Sequence, residues 1–472
     1  MKHELISSVN GIAISFVITF ALSAFSPPAH AQGGVPLWTN CYNGPANADD
    51  YAVAVAVDGS GNVFVTGLSD GGSGSYCDYA TIKYSSAGVP LWTNRYNGPA
   101  NGSDRATALA VNGNGNVFVT GSSWATRDGN EDYATVAYSN AGVPLWSKRY
   151  NGPVNNEDRA QAVAVDGGGN VIVTGQSIGP GLNYDYATIK YSSAGVPLWT
   201  NLYDGRAGFG DYARAVATDS NGKVFVTGYS ENSSANPRNY DYATVAYSPA
   251  GVLLWANYYN GPGNGDDQPY ALAVDSSGNV FVTGASTSTN GYTDYATIKY
   301  SGGGVPLWTN FYNGPANSAD YAYAMAVDSR GNVFVTGGSY DFATVAYSGT
   351  GEPLWTNRYN GAWNGIDWAT AVAVDTGGNV FVTGYSAGTN SGFYDYATVA
   401  YSNAGVPLWT NRYHSPTDGQ DYANAIAVDA SGSVFVTGQS WNGSSCPGRR
   451  TALDELLQRP CQTKGSNHNF SY

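Results

Sequence analysis

Histidine is almost missing from this sequence: 472 residues hold four, and two of these, His3 and His30, fall in the first 31. His414 and His468 remain, one at a repeat end and one in the C-terminal tail, so a Ser-His-Asp relay or a His-ligated metal centre has almost no material. Glutamate is rare and scattered (Glu131, Glu157, Glu231, Glu352 and Glu455 beyond the N-terminus). The four cysteines, Cys41, Cys77, Cys446 and Cys461, are irregularly spaced and form no C-x-x-C pattern. Three disulfide pairings are possible and the sequence does not choose among them. Basic residues are few as well: 21 Lys and Arg stand against 35 Asp and Glu, for a net charge of −14. That balance argues against nucleic acid or an anionic membrane surface as a partner.

Long apolar runs are also lacking. The one candidate, residues 11–25, follows Lys2 and precedes Ala29-His30-Ala31. It is too short for a membrane span and has the layout of a secretory signal. Residues 1–31 are therefore expected to be removed, leaving a chain that starts at Gln32. No cysteine sits at that cleavage site, which disfavours a lipid anchor. The expected protein is exported (secreted, periplasmic or at the cell surface), is not inserted in a membrane, and is a monomer.

What the sequence does have is repetition. A Trp in a (V/E)-(P/L)-L-W segment recurs at Trp38, Trp92, Trp146, Trp199, Trp255, Trp308, Trp355 and Trp409. V-T-G recurs in step, ending at Gly67, Gly121, Gly175, Gly228, Gly284, Gly337, Gly384 and Gly438. A D-(Y/F)-A-T segment recurs seven times, from Asp78 to Asp395. Each unit reads as four short strands. Residues 51–57 alternate with period two, 58–62 form a turn, 63–66 a second strand, 79–84 a third and 89–96 a fourth. Four antiparallel strands about every 54 residues is the arithmetic of propeller blades. The positions equivalent to Ala52, Ala54 and Ala56 are Ala in 23 of 24 cases, Pro269 being the exception. Small side chains all along the first strand place it innermost, where neighbouring sheets converge.

The segment A-V-A-V-D-G-S-G-N-V-F-V-T-G resembles the bacterial SBBP-type repeat, named for seven-bladed β-propellers, and the likeness recurs over residues 34–440. The fourth strand, P-L-W-T-N-R-Y-N-G-P, is closer to the outer strand of quinoprotein-type propellers, whose Trp residues dock blades together. The resemblance implies a fold and export, and no single activity. Quinoprotein enzymes would need a calcium-bound quinone and commonly adjacent cysteines; no Cys-Cys pair is present, so no cofactor is expected.

The expected architecture is an all-β single propeller, with eight blades favoured over seven. The chain begins with a fourth strand (residues 35–42) and ends with a first and second (421–437), which could combine into a closing blade. That blade lacks a D-Y-A-T third strand, and residues 441–472 match nothing in the repeat. A disordered, frameshifted or truncated tail is expected there, with a cap that completes the blade as the alternative.

Candidate sites are weighed on the same repeat. Turns such as Asp58-Gly-Ser-Gly-Asn62 offer one carboxylate each, too few for a calcium loop, and read as capped hairpins. One Asp series (Asp50, Asp104, Asp158, Asp211, Asp267, Asp320, Asp367, Asp421) precedes every first strand, and a second (Asp78, Asp132, Asp185, Asp241, Asp294, Asp341, Asp395) precedes the third strands. Both fall at one end of the propeller and are expected to accept hydrogen bonds from loop N–H groups, with a cation-collecting ring as the alternative. The residue after the first series varies: Tyr51, Arg105, Arg159, Tyr212, Gln268, Tyr321, Trp368 and Tyr422. So does the residue two further on: Val53, Thr107, Gln161, Arg214, Tyr270, Tyr323, Thr370 and Asn424. A scaffold does not require such variety and a ligand at the channel mouth would, so the first of these sets is the candidate ligand-binding ring. No catalytic or metal residue stands out. The expected function is a non-enzymatic scaffold binding protein or glycan on this face. A carboxylate-based lyase or hydrolase and a purely architectural surface repeat are the alternatives.

Overall fold

The computed structural model describes residues 34–457 apart from 72–75, 127–128, 207, 233–238, 362, 389–392, 416–418 and 442–448, and gives the backbone alone at 441 and 449–457. Residues 1–31, Cys446, Cys461 and His468 lie outside the described residues.

The chain forms a single all-β propeller of four-stranded antiparallel blades. The repeat is illustrated by β2 (Asp50–Val57), β3 (Val63–Asp70), β4 (Cys77–Tyr84) and β5 (Pro90–Tyr96), hydrogen-bonded in that order from the axis outward. Seven blades of this kind, each of consecutive strands, span residues 50–96, 104–150, 158–203, 211–259, 267–312, 321–359 and 367–413, numbered 1 to 7 below. A further four-stranded sheet joins the two ends of the chain: β1 (Val35–Tyr42) is outermost, then β32 (Arg449–Leu457), β31 (Ser433–Trp441) and β30 (Asp421–Val428). The third-strand position, for which the sequence offers no D-Y-A-T segment, is thus filled from the non-repeat tail. β32 pairs along its length with β31 and with β1, as backbone hydrogen bonding permits whatever the side chains. The composite sheet packs between blades 7 and 1: Phe435 joins the core of Val63, Val65 and Tyr84, and Asn424 Nδ2 donates to the Ala52 carbonyl at 2.8 Å.

The core lies in the seams between blades. In the seam between blades 1 and 2, Phe64 and Tyr79 meet Ala106, Val117, Val119 and Tyr138, with Trp92 against them from the outer strand. Trp92 sits 6.1 Å from Phe64 and 5.9 Å from Tyr138, ring to ring, and its Nε1 donates to the Asn140 carbonyl of blade 2. The outer Trp therefore docks one blade on the next, as expected. Deeper in, the tyrosine of D-Y-A-T donates across the seam, as in Tyr133 Oη to the Ala187 carbonyl at 3.2 Å.

One element departs from a plain alternation. In every first strand the register slips by one residue, so that Ala52 opposes Gly67 and Ala54 opposes Thr66, leaving Val53 unpaired. The same β-bulge falls at Thr107, Gln161, Arg214, Tyr270, Tyr323, Thr370 and Asn424. The bulge flips the faces of the strand. Ala52 lies in the seam with Phe435, and beyond the bulge Val55 and Val57, not Ala54 and Ala56, pack against that same core. The alanines are therefore divided between two faces rather than lining one. V-T-G ends in Gly for the same reason, since a Cβ at Gly67 would lie 1.8 Å from the Tyr51 carbonyl oxygen.

Candidate functional site

At the end of the propeller where first and third strands begin, the first Asp series is buried and bound to the loop ahead of it. Gly44 N donates to Asp50 at 2.7 Å, Gly98 N to Asp104 at 2.6 Å and Gly152 N to Asp158 at 2.6 Å. The pattern continues at Asp211, Asp267, Asp320 and Asp367 and ends with Ser415 N to Asp421 at 2.8 Å. These carboxylates shape the fourth-to-first-strand loops. Burial nonetheless pushes Asp104, Asp158 and Asp211 up to about 6, against the pull of those N–H donors. The second series is held differently. Outer-strand arginines reach in to Asp78, Asp132, Asp341 and Asp395 at 2.8 to 3.0 Å. The opposite end carries the capped turns: Asp58 Oδ1 accepts from Ser60 N and Asn62 N, both at 2.9 Å.

The eight ring residues at the mouth fall into separate groups. Tyr321 stacks near Trp368 with centroids 6.1 Å apart. Tyr212 stacks on Tyr229 at 4.9 Å, and Tyr422 meets Tyr385 edge-on at 4.9 Å. Arg159 is drawn into an ion-pair cluster with Glu131 and Glu157, two glutamates far apart in the chain. Gln268 accepts from Tyr270 Oη, Tyr51 Oη donates to Asp49, and Arg105 is exposed. They form arcs of aromatic and charged character, not one continuous patch.

The bulge residues are the ones that converge. A cavity of about 550 Å³ on the propeller axis is lined by Gln161, Arg214, Tyr270, Tyr323, Thr370 and Asn424, and by Trp368 and Tyr385 above them. Of the mouth ring, Trp368 alone is among its lining residues. Tyr270 and Tyr323 lie 5.3 Å apart and Tyr323 lies 5.5 Å from Trp368, so one wall is a continuous aromatic surface. Trp368 leans over Gly338 of the preceding blade, where a Cβ would stand 2.9 Å from its ring. Burial raises the phenols of Tyr270 and Tyr323, keeping them neutral and able to donate. Among the described lining residues Arg214 alone is charged; its Nη2 donates to Tyr229 Oη at 2.9 Å and its Nε, although buried, has no hydrogen-bond partner among the described residues. Such a site can stack on a planar or apolar group and bind a carboxylate or carbonyl beside it.

Tyr229 and Tyr385 were not among the sequence candidates. They stand opposite Tyr212 and Trp368 on the second strands, directly after V-T-G, a position that also varies between repeats. That variation was the available signal.

The β-propeller repeat family SBBP matches residues 44–74 and 254–292. The chain carries propeller repeats of this type. An uncharacterised WD repeat-containing protein of Acanthamoeba polyphaga mimivirus is 28% identical in an alignment 217 residues long that covers 40% of this chain and only 14% of that relative's length. Among solved structures, Sqt1 of Chaetomium thermophilum superposes with a TM-score of 0.55 at 10% identity, covering 89% of this chain and 97% of Sqt1. Sqt1 bound to the N-terminus of a ribosomal protein gives 0.56, also at 10% identity, over 89% of this chain and 98% of that one. At this identity the likeness is one of fold.

Proposed function

We propose that the protein is a non-enzymatic, exported binding scaffold that captures a segment of a partner protein in the axial mouth. The observation that carries this reading is the convergence of six variable bulge residues on one cavity, with an aromatic wall and a single arginine. A bulge conserved in backbone geometry but varied in side chain separates the part that builds the ring from the part that meets a ligand. The described lining holds no carboxylate, whereas glycoside hydrolysis uses an acid pair about 5 to 10 Å apart. A propeller of similar fold, Sqt1, has been solved holding a protein N-terminus. Export rests on the leader at residues 1–31. We also read the composite sheet as an eighth blade that closes the ring.

Glycan binding is the rival, since aromatic walls stack on sugars as well. Peptide and glycan arrays probed with the intact protein separate the two. Arg214→Ala and Tyr323→Ala should each weaken the captured peptide roughly thirtyfold, the effect of losing an interface anchor worth about 2 kcal/mol. Ser60→Ala and Ser277→Ala, in turns at the other end, should leave it unchanged. Selective capture of glycans, or turn variants that lose binding while cavity variants keep it, would refute the proposal.

A further inference from the structure

The second Asp series is not treated alike in all blades. In blades 1, 2, 6 and 7 an outer-strand guanidinium fills the space beside it: Arg95 reaches Asp78, Arg149 reaches Asp132, Arg358 reaches Asp341 and Arg412 reaches Asp395. The same guanidinium also donates to a second-strand serine, as Arg358 does to Ser339 Oγ at 2.9 Å. Blades 3, 4 and 5 have Leu202, Tyr258 and Phe311 in the place of that arginine. In blade 4 Asp241 is compensated by Asn232 Nδ2 at 2.8 Å.

Blade 3 goes the other way. After Leu202 the usual Asn-Gly-Pro becomes Asp204-Gly205-Arg206, so a cation is lost and a carboxylate gained at one spot. One carboxylate oxygen from each of Asp185, Asp204 and Asp211 lies within 4.8 Å of the other two. Asp185 is 6% exposed, accepts no hydrogen bond and pairs with no cation among the described residues, and it faces the other two acids. Asp211 is 1% exposed; its Oδ2 accepts from Gly205 N and Ser230 lies beside the same carboxylate. Asp204 is exposed and gives access from solvent. Arg206, the basic residue of that loop, lies over the Tyr258 ring, 3.9 Å from its centroid. Burial, then Asp204 and Asp211, push Asp185 up to about 7. In blades 1, 2, 6 and 7 a positive charge occupies the corresponding position.

We propose that Asp185, Asp204 and Asp211 bind a calcium-sized divalent cation at the loop end of the seam between blades 3 and 4. The donors are all carboxylate oxygens, which suit hard cations and offer nothing to softer metals. Calcium tolerates irregular sets of six to eight oxygens, and the open Asp204 side leaves room for water to complete the shell. The ion replaces the missing guanidinium and pins the loop that carries Asp204 to the third strand. The site is separate from the axial cavity and does not depend on the ligand bound there.

The test uses the full chain freed of metal and titrated with calcium chloride at pH 7.5. Calorimetry should give one equivalent with a Kd on the order of 10⁻⁴ M, the range of extracellular calcium modules. The thermal midpoint should be higher in calcium than in EDTA. Asp204→Asn should weaken binding at least about tenfold. The double change Leu202→Arg with Asp204→Asn recreates the arrangement of blades 1, 2, 6 and 7; it should abolish the calcium response and raise the midpoint in EDTA. Equal midpoints in calcium and EDTA with no heat of binding would overturn the proposal and mean that the three acids share protons instead. Calcium binding that survives both variants unchanged would overturn it too, placing the ion elsewhere.

Discussion

At the residue scale, the most demanding position is the glycine of V-T-G. The bulge brings the Tyr51 carbonyl against Gly67 so closely that a Cβ would lie 1.8 Å away, and backbone cannot move aside as a side-chain tip can. Gly67→Ala should destabilise the protein by about 2 kcal/mol or more, read as a lower denaturant midpoint. Gly59, in the turn of the same blade, has nothing within 4 Å of a built Cβ. Gly59→Ala should stay within about 0.5 kcal/mol. A milder case is the seam hydrogen bond of Tyr133. The Ala187 carbonyl that it meets also accepts from Thr174 Oγ1 at 3.3 Å, so Tyr133→Phe leaves the oxygen partnered. The cost should be about 1 kcal/mol, the net worth of one hydrogen bond. Blade 6 already has Phe342 at this place and stays packed.

At the element scale, the repeat depends on two devices that work at opposite ends of the blade radius. The inner bulge brings a side chain to the axial cavity in blades 3 to 7 and the composite sheet, and the outer Trp locks each blade to its neighbour. The composite sheet tests how far the second device suffices. Trp38 on β1 lies 6.2 Å from Phe435 and 5.9 Å from Tyr84, so the N-terminal strand is tied to the C-terminal sheet and to blade 1. Its hydrogen bonds within its own sheet, however, come from β32. Deleting residues 446–472 removes that strand and strands β1 away from β31. The thermal midpoint should then fall by roughly 5 °C or more, the shift that a loss of a few kcal/mol produces in a large domain. An unchanged midpoint would show that the tail contributes nothing to closure. The four-strand rhythm, the turns and the docking Trp were legible because each is a local pattern repeated in the chain. The bulge was not, because A-x-A-x-A is an unbroken period of two; only the contact of Gly67 with the Tyr51 carbonyl explains the slip.

At the scale of the whole molecule, one end of the ring gathers carboxylates whose burial disfavours charge. Asp104, Asp158, Asp211 and Asp241 are raised to about 6 and Asp185 to about 7, from an ordinary 3.8. A carboxyl group with a higher pKa when folded binds its proton more tightly in the native state. Its stabilising contribution is therefore complete below the unfolded value and is lost as pH rises through the folded one. In EDTA the thermal midpoint should decline between about pH 4 and pH 7. A midpoint rising steadily over that window would contradict the assignment. The same gathering shows where sequence reasoning stops. Strand count, repeat length, the inner place of the Ala-rich strand and the pairing of each first-series Asp with its loop all follow from short-range pattern, because every repeat solves the same local problem. The pairing of a tail strand unlike the repeat between β1 and β31, the convergence of Gln161, Arg214, Tyr270 and Tyr323 on one cavity, and the meeting of Asp185 with Asp204 and Asp211 were decided only by the tertiary structure. Each depends on distance across a seam or an axis, where residues from different blades are brought together by ring curvature and not by their spacing along the chain.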